Sequence, residues 1–195
     1  MKQTRSIGRD LKVSLNIEKM LSIREELKKK YVARVGVLGQ KTNRIPMLTG
    51  ESHERYKARI LKLRKLVKQG YGSFEVKDNE DLTNAEIGLT HEMGSMARHI
   101  PRRSFLEMPL SLKMPAYAKT FGAALVKALD EGDIRPAFIN LGIKGEQVVQ
   151  LAFASRGFGN WPGNAPSTIA RKGSSSPLID TAQLRRSITS DVVTK

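Results

Sequence analysis

The stretch Asn160–Val193, NWPGNAPSTIARKGSSSPLIDTAQLRRSITSDVV, decides how this chain can fold. Its first part is rich in proline, glycine and Ser/Thr, which favour turns and disfavour a continuous helix. At Leu178 it changes into a short apolar segment, and it ends in Ser187–Val193, a run that contains good strand formers. The C-terminal part is therefore predicted to be a long structured loop followed by a short helical turn and a final strand.

Two further segments are expected to join this strand in a small mixed sheet. Val32–Leu38 alternates small and branched residues and stops at Gly39, and a second β segment lies near 73–78. Apolar residues recur near the 3.6-residue period in five segments, which predicts helices at 17–31, 51–69, 83–93, 115–131 and 133–155. Thr83 and Glu86 form a capping-box pattern at the start of the third helix. The prolines of 100–109 predict an extended segment. Residues 1–195 are therefore predicted to form one α+β domain, a small mixed sheet packed with several helices, with long interface loops and a basic helical insertion at about 41–72.

The charge of the chain is strongly positive. It carries 34 Lys and Arg against 19 Asp and Glu, a formal net charge of +15. Residues 1–80 hold 20 basic against 9 acidic residues, whereas residues 81–195 hold 14 against 10. Such a chain attracts polyanions and repels copies of itself unless a partner or salt neutralises it. A solvated surface is the plain interpretation, and contact with DNA or an acidic protein is the functional one.

The basic helix 51–69 is the strongest candidate for a direct contact. One narrow stripe of it is apolar and its other faces are cationic. Three interpretations remain open: a solvated face, a face on DNA, and a face on an acidic protein. DNA binding would gain affinity from counterion release and would lack sequence specificity, since no readout motif occurs. The candidate DNA or partner contacts are Arg55, Arg59, Lys62, Lys65 and Lys68.

Active-site chemistry is not predicted. The histidines His53, His91 and His99 form no HExxH pair, and no GxSxG, GxGxxG or GxxxxGK[ST] motif occurs. The chain has no cysteine, which excludes disulfides and thiolate metal sites. We therefore expect a protein that is not an enzyme and holds no metal or cofactor, with His91 packed or hydrogen-bonded at the end of its helix. No run of 18 apolar residues and no apolar leader occur, so we expect a protein made in the cytosol without a membrane span.

The loop 156–180 holds two aromatic residues outside any predicted regular element. Phe158 and Trp161 lie among glycines and a proline. They either fold back on the core of their own chain or anchor in a neighbouring subunit. We expect this loop to lie between subunits or against a partner.

Asp180, at the end of this loop, admits two interpretations. An ion pair with Arg171 or Lys172 would contribute about 0–1 kcal/mol if it is exposed. Alternatively, Asp180 and Thr181 cap the short helical turn 182–186. The residues predicted to be buried and to anchor the C-terminal strand are Leu178, Ile179, Leu184 and Ile188.

Two blocks of this sequence resemble one protein family. NAPSTIARKG (164–173) and PLIDTAQLRRSI (177–188) are similar to the C-terminal signature of the tailed-phage neck and tail-completion proteins, often labelled virion morphogenesis or putative tail-component proteins. Residues 84–106 resemble that family's block of a helix, an HEFG-like turn and an IPxRxFL segment. The resemblance covers roughly residues 32–40 and 82–193. The chain departs from the pattern at three places: Met93 where an aromatic is common, Ala182 where a glycine is common, and the additional basic stretch 41–72.

This resemblance implies a structural virion protein of the head–tail neck, made in the host cytoplasm. Proteins of the family assemble as rings, commonly hexameric, around a DNA channel, and their neighbours are other neck, portal-side and tail-tube proteins. A ring requires a head-to-tail interface between two different patches of one subunit. The alternative function is a non-specific DNA-binding accessory protein acting as monomer or dimer. The candidate subunit-interface residues are Arg102, Phe105, Phe158, Trp161, Arg171 and Lys172.

Overall fold

The sheet joins two segments from opposite ends of the sequence. The computed structural model describes residues 17–38, 45, 50–69 and 83–195. Strand β1 (Tyr31–Val37) pairs antiparallel with β2 (Ile188–Thr194), with Val37 opposite Ile188. Both terminal strands are therefore confirmed to within one residue. The third predicted strand, near 73–78, lies outside the described residues.

The helices confirm the α+β class. Each helix predicted from periodicity is present, and no end differs from the prediction by more than three residues. The first helix ends before residue 31 because Tyr31 already pairs in β1. The helices are α1 (Ile17–Lys28), α2 (His53–Lys68), α3 (Asn84–Met93), α4 (Glu107–Lys113), α5 (Ala118–Glu131), α6 (Arg135–Ala154), α7 (Pro166–Lys172) and α8 (Gln183–Ser187), and a 3₁₀ turn (Met114–Tyr117) joins α4 to α5.

Two short helices, α4 and α7, lie where the sequence predicts extended or irregular chain. The prediction of an extended segment over 100–109 is wrong at its end, because α4 begins at Glu107 and takes Pro109 into its first turn. A proline is tolerated there, since the N–H that it lacks would have no intrahelical acceptor. Helix α7 likewise starts with Pro166, and it is followed by Gly173, whose φ of 63° is left-handed.

Helix α6 lies across the sheet and forms the centre of the fold. Its glycines permit the close approach, because a Cβ on Gly145 would lie 2.8 Å from Cγ2 of Val35. Beyond the sheet, the Phe153 ring lies 5.3 Å from that of Phe105 and 5.7 Å from that of Trp161. Leu184 and Ile188 are buried in this cluster as predicted, and Leu178 and Ile179 are half-buried against it.

Candidate functional site

Glu92, in the last turn of α3, organises the segment that follows it. Its carboxylate accepts hydrogen bonds from the Ser104 hydroxyl (2.5 Å) and from the backbone N–H groups of Phe105 (2.8 Å), Leu106 (3.0 Å) and Glu107 (3.1 Å). These amides form the N-terminus of α4, where a negative charge is also favoured by the helix dipole. One carboxylate therefore holds the start of α4 against the end of α3.

The capping box predicted at the start of α3 is confirmed. The Thr83 hydroxyl accepts from the Glu86 backbone N–H, and the Glu86 carboxylate accepts from the Thr83 backbone N–H at 2.7 Å. Gly94 ends the helix with a positive φ of 77°. Its lack of a side chain matters there, because a Cβ would lie 2.9 Å from the backbone nitrogen of Arg102. Both ends of α3 are thus determined by local sequence.

Arg103 ties this segment to the loop 156–180. Its side chain donates from Nε to the Pro162 carbonyl (2.8 Å) and from Nη2 to the Gly163 carbonyl (2.6 Å), and the residue is only 5% exposed. Trp161 is 8% exposed and donates from its indole N–H to the Ser104 carbonyl at 2.9 Å. The loop therefore folds back on its own chain, which is the first of the two interpretations of its aromatic residues.

A cavity of about 790 Å³ opens between α3, the turn 98–103, α7 and the segment 178–184. Part of its lining is apolar and comes from isoleucine, leucine, alanine and proline side chains. The rest combines four cations with histidines and neutral polar side chains, and Asp180 is the one acid among the described residues that line it. The basic residues and histidines of the lining are Arg98, Arg103, Arg171, Lys172, His91 and His99.

Burial shapes the protonation of the groups around this cavity. Desolvation lowers the pKa of Arg103 and that of Lys172, and for Lys172 the neighbouring Asp180 partly opposes this effect. Burial, reinforced by the charges of Arg103 and Lys172, lowers the pKa of His91 to about 4. His91 is therefore neutral at pH 7. Its buried Nδ1 has no hydrogen-bond partner within the part of the chain that the structure describes.

Helix α2 presents only part of its predicted basic face to solvent. Arg55, Lys62 and Lys65 are exposed, as DNA or partner contacts would require. Arg59 is half-buried and forms an intramolecular ion pair with Glu51 through two hydrogen bonds of 2.9 and 2.8 Å, so it is less available for such a contact. The side chain of Lys68 lies outside the described residues.

The buried stripe of α2 rests on the segment that precedes β2. Tyr56 and Ile60 are 3% and 1% exposed, as the predicted stripe requires. The Tyr56 hydroxyl accepts a hydrogen bond from Nε2 of Gln183 at 2.6 Å. The basic helix is therefore docked on the domain beside the cavity, and its orientation is set by this contact.

Asp180 follows neither of its two predicted roles. Its carboxylate lies 3.0 Å from Nε2 of His53 and 3.4 Å from Nζ of Lys57, both on α2. Helix α8 starts after Ala182 with no side-chain cap within the described part of the chain. The predicted cap and the predicted loop ion pair are both wrong, because α2 brings Lys57 and His53 to this carboxylate from a segment distant in sequence.

The six candidate interface residues fall into three groups by burial. Phe105 and Trp161 belong to the core, and Lys172 is 8% exposed, so these side chains pack inside the chain instead of presenting a surface to a second subunit. Phe158 is half-buried, with Nζ of Lys113 lying 4.8 Å from the centre of its ring. The two exposed members of the set are Arg102 and Arg171.

An apolar surface that the sequence analysis missed lies on the outer face of α6. Ile139, Ile143 and Leu151 are 43%, 42% and 54% exposed, and they recur at intervals of four and eight residues. They lie on the side of α6 that is not buried in the domain, where the exposed polar residues Lys144 and Gln147 also lie. The periodicity of α6 hides this stripe, because a helix that is apolar on two faces has no single polar face.

Comparison with protein-family models, with curated proteins and with solved structures finds no match for this chain. No helix within 17–38, 50–69 or 83–195 combines the length and the apolar character that crossing a bilayer requires. Across the same residues, no three His, Asp or Glu side chains are grouped so that they could hold a metal ion. The functional interpretation therefore depends on the basic cavity, the exposed cations of α2 and the outer face of α6.

Proposed function

We propose that this chain is a structural virion protein of the neck between the head and the tail of a tailed bacteriophage. Its role there is tail completion or head–tail joining, as a subunit of a ring around the DNA channel. The resemblance of residues 84–106 and 164–188 to neck proteins supports this proposal. The structural observation that carries it is the second apolar face of α6.

The outer face of α6 fits a contact between copies of this chain. Helix α6 buries one side in the domain, yet Ile139, Ile143 and Leu151 on its outer side are exposed in the single chain. Aliphatic side chains exposed together on one side of a helix suit an interaction site. In a ring, each subunit would place this face against a different patch of the next subunit, and the rotation between them would set the copy number.

The exposed cations of α2 support the DNA channel. Arg55, Lys62 and Lys65 point to solvent on a helix that is fixed by its buried stripe. Cations on a regular helix neutralise phosphates without reading bases, which suits a protein that must pass any sequence. DNA in the channel would also offset the repulsion between subunits that each carry a net charge of +15.

The ring is tested by measuring mass in solution. Light scattering coupled to size-exclusion chromatography, over a series of protein concentrations with and without duplex DNA, should show a closed oligomer. Ile143→Glu and Leu151→Glu should each shift the mass towards the monomer, because a buried charge in the interface is unfavourable. Leu27→Glu is the matched control, since Leu27 is 60% exposed on α1. A monomer under every condition would refute the ring, and equal loss in the control would remove α6 as its interface.

The DNA contact is tested by the dependence of binding on salt. The triple variant Arg55→Gln, Lys62→Gln, Lys65→Gln should lower the slope of log affinity against log salt by about 2–3, because each phosphate that the protein no longer neutralises accounts for about 0.9. An unchanged slope would refute the contact. A protein that binds DNA in this way but remains a monomer or dimer would instead be the accessory DNA-binding protein. The control triple variant carries the same change at exposed positions of α5 and α6: Lys119, Lys127 and Arg135.

A further inference from the structure

Two buried cations lie beside the cavity, and among the described lining residues the one acid, Asp180, offsets the burial of Lys172 only in part. Arg103 and Lys172 are 5% and 8% exposed, and neither forms an ion pair with a carboxylate among the described residues. Their hydrogen bonds go to backbone carbonyls, including one of 2.8 Å from Nζ of Lys172 to Ser176. Buried charge is unfavourable unless an opposite charge compensates it. A carbonyl dipole compensates only in part, so the site favours an anion from outside.

We propose that this cavity is a docking site for an acidic peptide segment of a partner protein, whose carboxylate is seated between Arg103 and Lys172. This site is separate from the outer face of α6 and from the exposed cations of α2. The inference does not depend on the neck proposal.

The site is built before any ligand arrives. Two carbonyls hold the Arg103 guanidinium through Nε and Nη2, and Glu92 fixes the backbone that follows it. Among the described residues of the lining the one acid, Asp180, is already engaged by α2, because it lies 3.4 Å from Nζ of Lys57 and 3.0 Å from Nε2 of His53. A ligand therefore loses little affinity to reorganising the protein.

The shape of the cavity favours a peptide over DNA. A DNA duplex is a wide rod with its phosphates on the surface. Such phosphates could reach the exposed Arg98 and Arg171 at the rim. They could not reach Arg103 and Lys172, which are less than a tenth exposed. A carboxylate on a flexible chain can enter, and a volume of about 790 Å³ is within the range of ligand pockets.

The apolar part of the lining indicates which residues the partner segment carries beside its acids. Ile87, Ile100 and Leu178 stand beside the cations. A phosphate ion would leave this surface uncovered, whereas an acidic residue next to an aliphatic one would use both parts of the site. The partner segment is therefore expected to combine Asp or Glu with Leu, Ile or Val.

The test uses a fluorescent ten-residue peptide of alternating Glu and Leu, titrated with the whole protein at physiological salt. Its affinity should exceed that of the matched Gln–Leu peptide by about tenfold or more, because an ionised hydrogen bond is roughly twice as strong as a neutral one. Arg98→Gln with Arg171→Gln, and separately Thr168→Trp, should each weaken binding by a similar factor. The first removes charge at the rim and the second fills the mouth of the cavity.

The control double variant, Arg55→Gln with Lys62→Gln, removes the same charge from α2 and should change the affinity by less than about twofold. An equal loss in this control would refute the site, because binding would then follow net charge alone. Inorganic phosphate and duplex DNA, each at the same concentration of charge, should not fully displace the peptide. Full displacement by either one would refute the peptide site, because the ligand would then be a small anion or DNA. All the substituted residues are outside the core, so folding does not limit the comparison.

Discussion

Replacing Glu92 by glutamine should remove about 3 kcal/mol from the free energy of unfolding. The two carboxylate oxygens divide four donors: Oε1 accepts from Ser104 Oγ and Glu107 N, and Oε2 accepts from Phe105 N and Leu106 N. A carboxamide has only one acceptor oxygen. Its NH₂ group would take the place of the second carboxylate oxygen and would face two hydrogen-bond donors. Glutamine has nearly the same shape, so the change isolates the acceptor and its charge.

The magnitude follows from the number of bonds that glutamine cannot make. Each carboxylate oxygen accepts two hydrogen bonds, and glutamine loses the two at one oxygen whichever way its amide is oriented. A hydrogen bond to a charged group contributes about 1.5–3 kcal/mol, so two of them contribute about 3 kcal/mol at the lower end of the range. Water cannot replace the partner of the Phe105 amide easily, because that residue is 1% exposed. The loss is a large part of the roughly 5–15 kcal/mol that is typical of a folded domain.

Urea unfolding followed by tryptophan fluorescence measures this directly, since the chain has a single tryptophan and it is buried in the affected core. Glu107→Gln is the matched control. The Glu107 side chain is 68% exposed and its pair with Arg102 at 2.5 Å is a surface contact, so its loss should cost about 0–1 kcal/mol. If the two variants are equally stable, the carboxylate of Glu92 is not what holds α4 against α3.

Three further changes probe the fold. Ala182→Gly should stabilise the protein by about 0.5–1 kcal/mol in urea, because Ala182 has a left-handed φ of 57° that glycine adopts without strain; a destabilised variant would contradict this. Leu184→Ala should cost about 2–5 kcal/mol, as Leu184 is 4% exposed, and a loss under about 1 kcal/mol would mean that this segment is surface. Lowering the pH should destabilise the protein through His91, whose pKa is about 4 in the fold and ordinarily 6.5. Between these two pH values the unfolded chain binds a proton at His91 and the folded chain does not, so the free energy of unfolding should fall by up to roughly 3 kcal/mol as pH drops from about 6.5 to about 4. His91→Gln should lack this part of the pH dependence, and identical profiles for the two proteins would show that His91 is not its source.

The sequence by itself determined the elements whose causes are local. Helix α3 has its capping box at one end and Gly94 at the other, and α5 and α6 have apolar residues at helical spacing. The strands β1 and β2 follow from branched residues between breakers. Each of these signals acts between residues that are neighbours along the chain, so it can be read without knowing the fold.

Only the tertiary structure decided where the long-range partners lie. Asp180 is a residue type that caps helices and it shortly precedes α8, but the fold brings His53 and Lys57 of α2 to its carboxylate instead. Glu92 holds α4 across a turn, and Arg103 meets carbonyls about sixty residues away. The basic cavity exists because such contacts bury cations from separate segments around one space. Burial and charge compensation depend on the whole packed chain, and a linear pattern of residue types does not contain that information.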